Sequence, residues 1–107
     1  MVYLGNAFSL NMLNASEVQL KVSEISLQEA KNILSGGFIS AVGHQATADI
    51  LSKLLDIPVL FNRIEVKLQK GDVLIVFQLL KRLEEGKVLT EEEIKSLPYK
   101  IMKVEVM

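Results

Sequence analysis

The chain contains no cysteine, so neither a disulfide framework nor a thiolate zinc site can form within it. It carries one histidine, which excludes clustered histidine ligation of a transition metal inside a single subunit. An excess of one charge sign is missing as well: 12 Lys and Arg against 13 Asp and Glu leave a formal net charge of −1. Binders of long duplex nucleic acid gain affinity by neutralising many phosphates and show a basic face, so that class is not expected. A small anionic ligand held by a few local donors stays open. No apolar run approaches the ~18 residues that span a bilayer. Met1-Val2-Tyr3-Leu4 lacks the charged segment and long apolar stretch of a secretory leader. The expectation is a soluble, cytoplasmic protein with no metal, cofactor, membrane or long nucleic-acid partner.

What is present fits one domain over residues 1–107, half of them hydrophobic. A chain of this size buries roughly two thirds of its unfolded surface, enough for one core without covalent staples. Val2 to Phe8 reads as a short apolar strand. From Glu17 to Val22, Val18, Leu20 and Val22 alternate with polar residues, the period of a half-buried strand. Ser26-Leu27-Gln28-Glu29 is a capping box, followed by Leu27, Ala30, Ile33 and Leu34 at helical spacing and ended by Ser35-Gly36-Gly37. Phe38 to Val42 is a short buried strand or a brief helical run. Gly43-His44-Gln45-Ala46-Thr47 opens a second helix that Asp56-Ile57-Pro58 stops. Arg63 to Leu68 alternates, Lys70-Gly71-Asp72 turns, and Val73 to Leu80 is continuously apolar, which together predict a hairpin. Thr90-Glu91-Glu92-Glu93 caps a third short helix ended near Pro98, and Met102, Val104 and Val106 alternate in a last strand. The sum is an α+β domain, with about five or six strands in a mixed sheet flanked by three helices.

Three groups of polar residues stand out. His44 follows a glycine at a loop-to-helix junction, where backbone N–H groups point outward and a phosphate can sit. A free imidazole titrates near pH ~6.5 and so can give or take a proton at neutral pH. The alternative is a histidine that only helps to cap its helix. Arg82-Leu83-Glu84-Glu85-Gly86 follows the long apolar strand, where a buried strand emerges into a loop. The Arg82 fork suits phosphate, and Glu85 suits either a histidine or a ribose hydroxyl, although such acid–base runs also occur as plain solvated turns. Asn6, Ser9 and Asn11 are small hydrogen-bonders after the first strand, fit for bases or sugar hydroxyls and equally for turn chemistry. Gln78 and Arg63 interrupt or begin apolar strands and need polar partners. Glu91-Glu92-Glu93 suits the dipole of a helix's first turn, and the four methionines are core filler.

Taken together, N-A-F-S-L-N-M-L at 6–13, S-A-V-G-H-Q-A-T at 40–47, N-R-I-E-V-K at 62–67 and R-L-E-E-G-K-V-L-T at 82–90 resemble the viral anti-CRISPR ring nucleases that disable type III CRISPR signalling. The stretches keep the order and spacing of that family across most of the chain. The resemblance implies a two-fold homodimer that binds cyclic tetra-adenylate. It further implies metal-independent cleavage to linear di-adenylates bearing a 2′,3′-cyclic phosphate. On the same grounds His44 matches the catalytic histidine, and Arg82 and Glu85 match the arginine and glutamate that act with it. Asn6, Ser9, Asn11, Arg63 and Gln78 match positions that bind or orient the ligand. Members often carry Asp-Ser after the histidine, where this chain has Gln45-Ala46; Thr47 is the hydroxyl that remains. The contrasting class is a non-catalytic cyclic-nucleotide sponge or a viral regulatory protein, which needs no general acid.

Overall fold

A computed structural model describes residues 1–80 and 90–107. Among them five strands form one mixed sheet: β1 (Val2–Gly5), β2 (Leu20–Glu24), β3 (Ile39–Ala41), β4 (Val73–Leu79) and β5 (Tyr99–Val106). Three helices accompany it, α1 (Leu27–Leu34), α2 (Gln45–Leu55) and α3 (Glu91–Lys95), with one 3₁₀ turn at Leu10–Met12. The spatial order is β2-β5-β4-β1-β3. β1 runs parallel to both β3 and β4, whereas β5 is antiparallel to β2 and β4.

Alternation along the strands gives the sheet two differently covered faces. Leu4, Ile75, Phe77 and Ile101 pack with Ala30, Leu34, Ala48, Leu51 and Ile94, so all three helices lie on this side. Phe77 and Tyr99 stack there with ring centroids 5.1 Å apart. Leu74, Val76, Val104 and Val106 point the other way. They are covered by irregular chain, through Val66, Leu68, Phe8, Met12 and Val18.

The helices begin and end where local chemistry dictates. The Ser26 hydroxyl accepts from the Glu29 N–H at 3.1 Å. Thr90 and Glu93 form a reciprocal capping box. α2 ends at Asp56, whose left-handed backbone (φ 55°) closes the helix just before Pro58.

Three expectations are corrected. Arg63 to Leu68 is no strand of the sheet, and it forms no hairpin with β4. Both hydrogen-bonding edges of β4 are taken, by β1 and β5. The segment instead lies over the sheet, burying Val66 and Leu68; isolated bridges form at Leu68–Leu13 and, just before the segment, at Phe61–Val42. The predicted turn is present: the Asp72 N–H donates to the Gln69 carbonyl at 2.9 Å, with Gly71 at φ 92°. The second strand lies at Leu20–Glu24 rather than 17–22, because its partner β5 pairs Val106 with Leu20 and then ends. The first strand stops at Gly5 instead of continuing to Phe8, since the chain leaves the sheet at Asn6.

Candidate functional site

Because β1, β3 and β4 are parallel, their carboxyl ends share one edge of the sheet. The chain leaving β1 crosses the irregular face, where Phe8 and Met12 pack. The chain leaving β3 enters α2 on the helical face. Neighbouring connections that depart to opposite faces leave a crevice outside the strand ends, the usual location of ligands in open sheets.

His44 stands at this edge as the N-cap residue of α2, with extended backbone (φ −135°, ψ 127°). Its side chain makes no cap hydrogen bond and is exposed. In α1 and α3 the equivalent residues, Ser26 and Thr90, each accept from the backbone N–H three residues on. Of the three α-helices among the described residues, α2 alone has an N-cap side chain that makes no cap bond. Its first-turn N–H groups therefore remain available to an anion beside the imidazole. The reading of His44 as a helix-capping side chain does not hold.

The turn that presents His44 is held from two sides. Asn6, the first residue beyond β1, accepts through Oδ1 from the Gly43 N–H at 3.2 Å. On the other side, the Arg63 side chain lies against Gly43: a methyl group on that glycine would sit 3.7 Å from Arg63 Cγ. Asn6 and Gln78 also share an open groove of about 330 Å³ on the irregular face, with Phe8, Val22 and Met102. Two amide side chains over an apolar lining suit a flat heteroaromatic ring, which offers polar edges and a stacking face.

Ser9 precedes the 3₁₀ turn and Asn11 lies within it; both are exposed and their side chains bond no described residue. This turn is tied down by the segment that crosses the sheet. Lys67 Nζ donates to the Asn11 carbonyl at 2.7 Å, and the Leu68 N–H donates to the Met12 carbonyl at 2.7 Å. Thr47 is placed differently from the other expected contacts. It is only 8 % exposed in the first turn of α2, so its position is the most sheltered of the set. The Gln45 amide is engaged by Asp49 one turn along, at 2.9 Å. Arg82 and Glu85 lie outside the described residues.

The structure thus brings Asn6, Arg63, His44 and Gln78 to one edge, and fastens Ser9 and Asn11 through a shared support. Among the described residues no three His, Asp or Glu side chains gather so as to hold a metal ion. Sequence reasoning passed over Phe8, Val22 and Met102 as site-lining groups, and Asn62 as a support. Phe8 had a usable signal, an aromatic beside the Asn6–Asn11 cluster. Asn62 opens the N-R-I-E-V-K stretch, but its supporting role had no signal, because the group it grips is 22 residues away.

Residues 2–101 match the family model described as STIV B116-like. The chain belongs to that family. Its fold is that of the B116 protein of Sulfolobus turreted icosahedral virus, with a TM-score of 0.88 and 32 % identity over 97 % of both chains. Among STIV B116-like relatives, it is 40 % identical to uncharacterized protein 26 of a Sulfolobus islandicus filamentous virus, over its whole length and 92 % of that protein. It is also 32 % identical to uncharacterized protein YddF of Bacillus subtilis, across 87 % of this chain and 89 % of that one. Relatives thus occur in archaeal viruses and in a bacterium. No helix of the described residues is long and apolar enough to cross a membrane.

Proposed function

We propose that this protein is a metal-independent ring nuclease, which binds cyclic tetra-adenylate as a homodimer and cuts it into linear di-adenylates with 2′,3′-cyclic phosphates. In a host cytoplasm such an activity switches off type III CRISPR signalling, making the protein an anti-CRISPR. The observation that carries the reading is the uncommitted His44 imidazole. It occupies the N-cap of α2 without capping it, on a turn gripped by Asn6 and flanked by Arg63. A local stabilising bond forgone at a crevice is the kind of departure from local rules expected at a functional site.

In the reaction, the 2′-hydroxyl of one adenosine attacks its own 3′-phosphate in line, and the 5′-oxygen of the next nucleotide leaves. His44 donates the proton to that oxygen, an effect on the order of 10²–10⁴ in rate. Arg82 stabilises charge gathering on the phosphoryl oxygens. Glu85 either draws the proton from the 2′-hydroxyl or orients the imidazole. The nucleophile is part of the substrate, so its attack has the advantage of an intramolecular reaction. The α2 N–H groups and Arg63 hold phosphate, while Asn6, Gln78 and the apolar groove hold an adenine. Ser9, Asn11 and Thr47 complete the ligand contacts.

A two-fold dimer presents identical groups to opposite sides of a four-membered ring, so that two cuts give equal halves. It also doubles the arginines facing four phosphates, which a chain of net charge −1 needs. The test is incubation of the protein with cyclic tetra-adenylate in excess EDTA, followed by mass spectrometry of the products. Linear di-adenylate carrying a cyclic phosphate is expected. Tight binding with the ring left intact identifies a sponge, and neither binding nor cleavage overturns the reading altogether.

A further inference from the structure

Among the described residues the outer edge of β3 has no neighbouring strand, yet the outward carbonyls of Ser40 and, just past the strand's end, Val42 are satisfied. Asn62 bonds both. Its backbone N–H donates to the Val42 carbonyl at 2.9 Å, and its side-chain Nδ2 donates to the Ser40 carbonyl at 2.7 Å. Ser40 returns a bond by donating its hydroxyl to the Leu60 carbonyl at 2.7 Å. One half-buried asparagine therefore takes the part of a missing edge strand, at the residues that lead directly into Gly43 and His44.

The neighbours on either side of this clamp belong to the site. Arg63 follows Asn62 directly and lies along Gly43. Across the turn, the Gly43 N–H is held by Asn6 from β1. Val42 and Gly43 are thus fixed between Asn6 on one side and Asn62 on the other, and the second clamp also sets the position of Arg63. The Ser40 carbonyl calls for a donor at residue 62, which the Asn62 carboxamide supplies; the isosteric aspartate would face it with oxygen against oxygen.

We propose that Asn62 is a positioning residue that locks the His44 turn and Arg63 together through its side-chain bond to the Ser40 carbonyl. Its link to ligand binding rests on the ring-nuclease reading, whereas the clamp does not. Two measurements separate them. Amide hydrogen exchange of the free protein reports the clamp: in Asn62→Ala the Gly43 N–H loses protection about threefold to tenfold, while the amides of α1 and of the carboxyl half of α2 keep theirs. Asn62→Asp loses more than Asn62→Ala despite its matching shape. Unchanged protection at Gly43, or an equal loss across the whole domain, overturns the clamp.

Titration with cyclic tetra-adenylate reports the link to Arg63. Asn62→Ala weakens binding about tenfold in the natural background and adds almost nothing in Arg63→Ala, a coupling that a general loss of stability does not produce. Strictly additive effects overturn the action through Arg63. Absence of ligand binding by the unaltered protein refutes the ring-nuclease reading, and the exchange experiment still decides the clamp.

Discussion

Replacing His44 with serine separates the two roles a residue at a helix N-cap can play. The backbone there is extended, as at Ser26 (φ −79°, ψ 163°) and Thr90 (φ −73°, ψ 164°), the two caps that do bond. Serine at position 44 supplies the hydroxyl acceptor that α2 lacks. A full cap contributes about 0.5–2 kcal/mol. The ψ of 127° at His44 lies some way from that of the working caps, so a gain of about 0.5–1 kcal/mol, in the lower half of that range, is expected. The exposed imidazole forfeits little burial when removed. For a domain of this size the gain corresponds to a rise of roughly 2–8 °C in melting temperature. Cleavage falls by a factor on the order of 10²–10⁴ in the same variant, because serine is no general acid near neutral pH. Thermal unfolding followed by circular dichroism, beside a cleavage assay, reads both. Thr90→Ala is the control: it dismantles a reciprocal capping box and lowers stability by about 0.5–2 kcal/mol. A lower melting temperature in His44→Ser shows that the imidazole holds the fold, and undiminished cleavage shows that it is not the proton donor; either result refutes the reasoning.

Two further substitutions test the packing and the turn. Leu74→Ala empties a fully buried position (0 % exposed) on the irregular face and is expected to cost about 2–5 kcal/mol in a denaturant titration. Gly71→Ala places a side chain at φ 92°, with nothing within 4 Å among the described residues to obstruct it, so its cost is one of backbone conformation. Destabilisation of roughly 1 kcal/mol or more is expected from the same measurement.

The helices were legible because their boundaries are written locally. Ser26 and Glu29, Thr90 and Glu93, and Asp56 before Pro58 each act within a few residues. The five strands were legible as stretches, but their pairing was not. The alternation at Arg63–Leu68 is real, and it correctly marks Val66 and Leu68 as buried. Period two reports an extended chain with one covered face. It does not report whether the backbone bonds to a neighbouring strand. Ile64, 42 % exposed, is where the strand reading breaks. Which edges of β4 were already occupied depended on β1 and β5, both distant in the chain.

The site divides in the same manner. His44 at a glycine-led helix start is a local pattern, and the resemblance gave it a chemical role. The grip of Asn6 on Gly43 spans 37 residues, and that of Asn62 on Ser40 spans 22, so neither leaves a trace in spacing. The same holds for the groove, which joins Phe8 and Asn6 to Gln78 and Met102 across three strands' worth of sequence.

The most direct test of the central claim is the single-turnover rate of cyclic tetra-adenylate cleavage in EDTA, compared between the unaltered protein and His44→Ala at saturating enzyme. General-acid catalysis by His44 predicts a metal-free reaction that slows on the order of 10²–10⁴-fold while the ring still binds. Equal rates in the two proteins contradict the account.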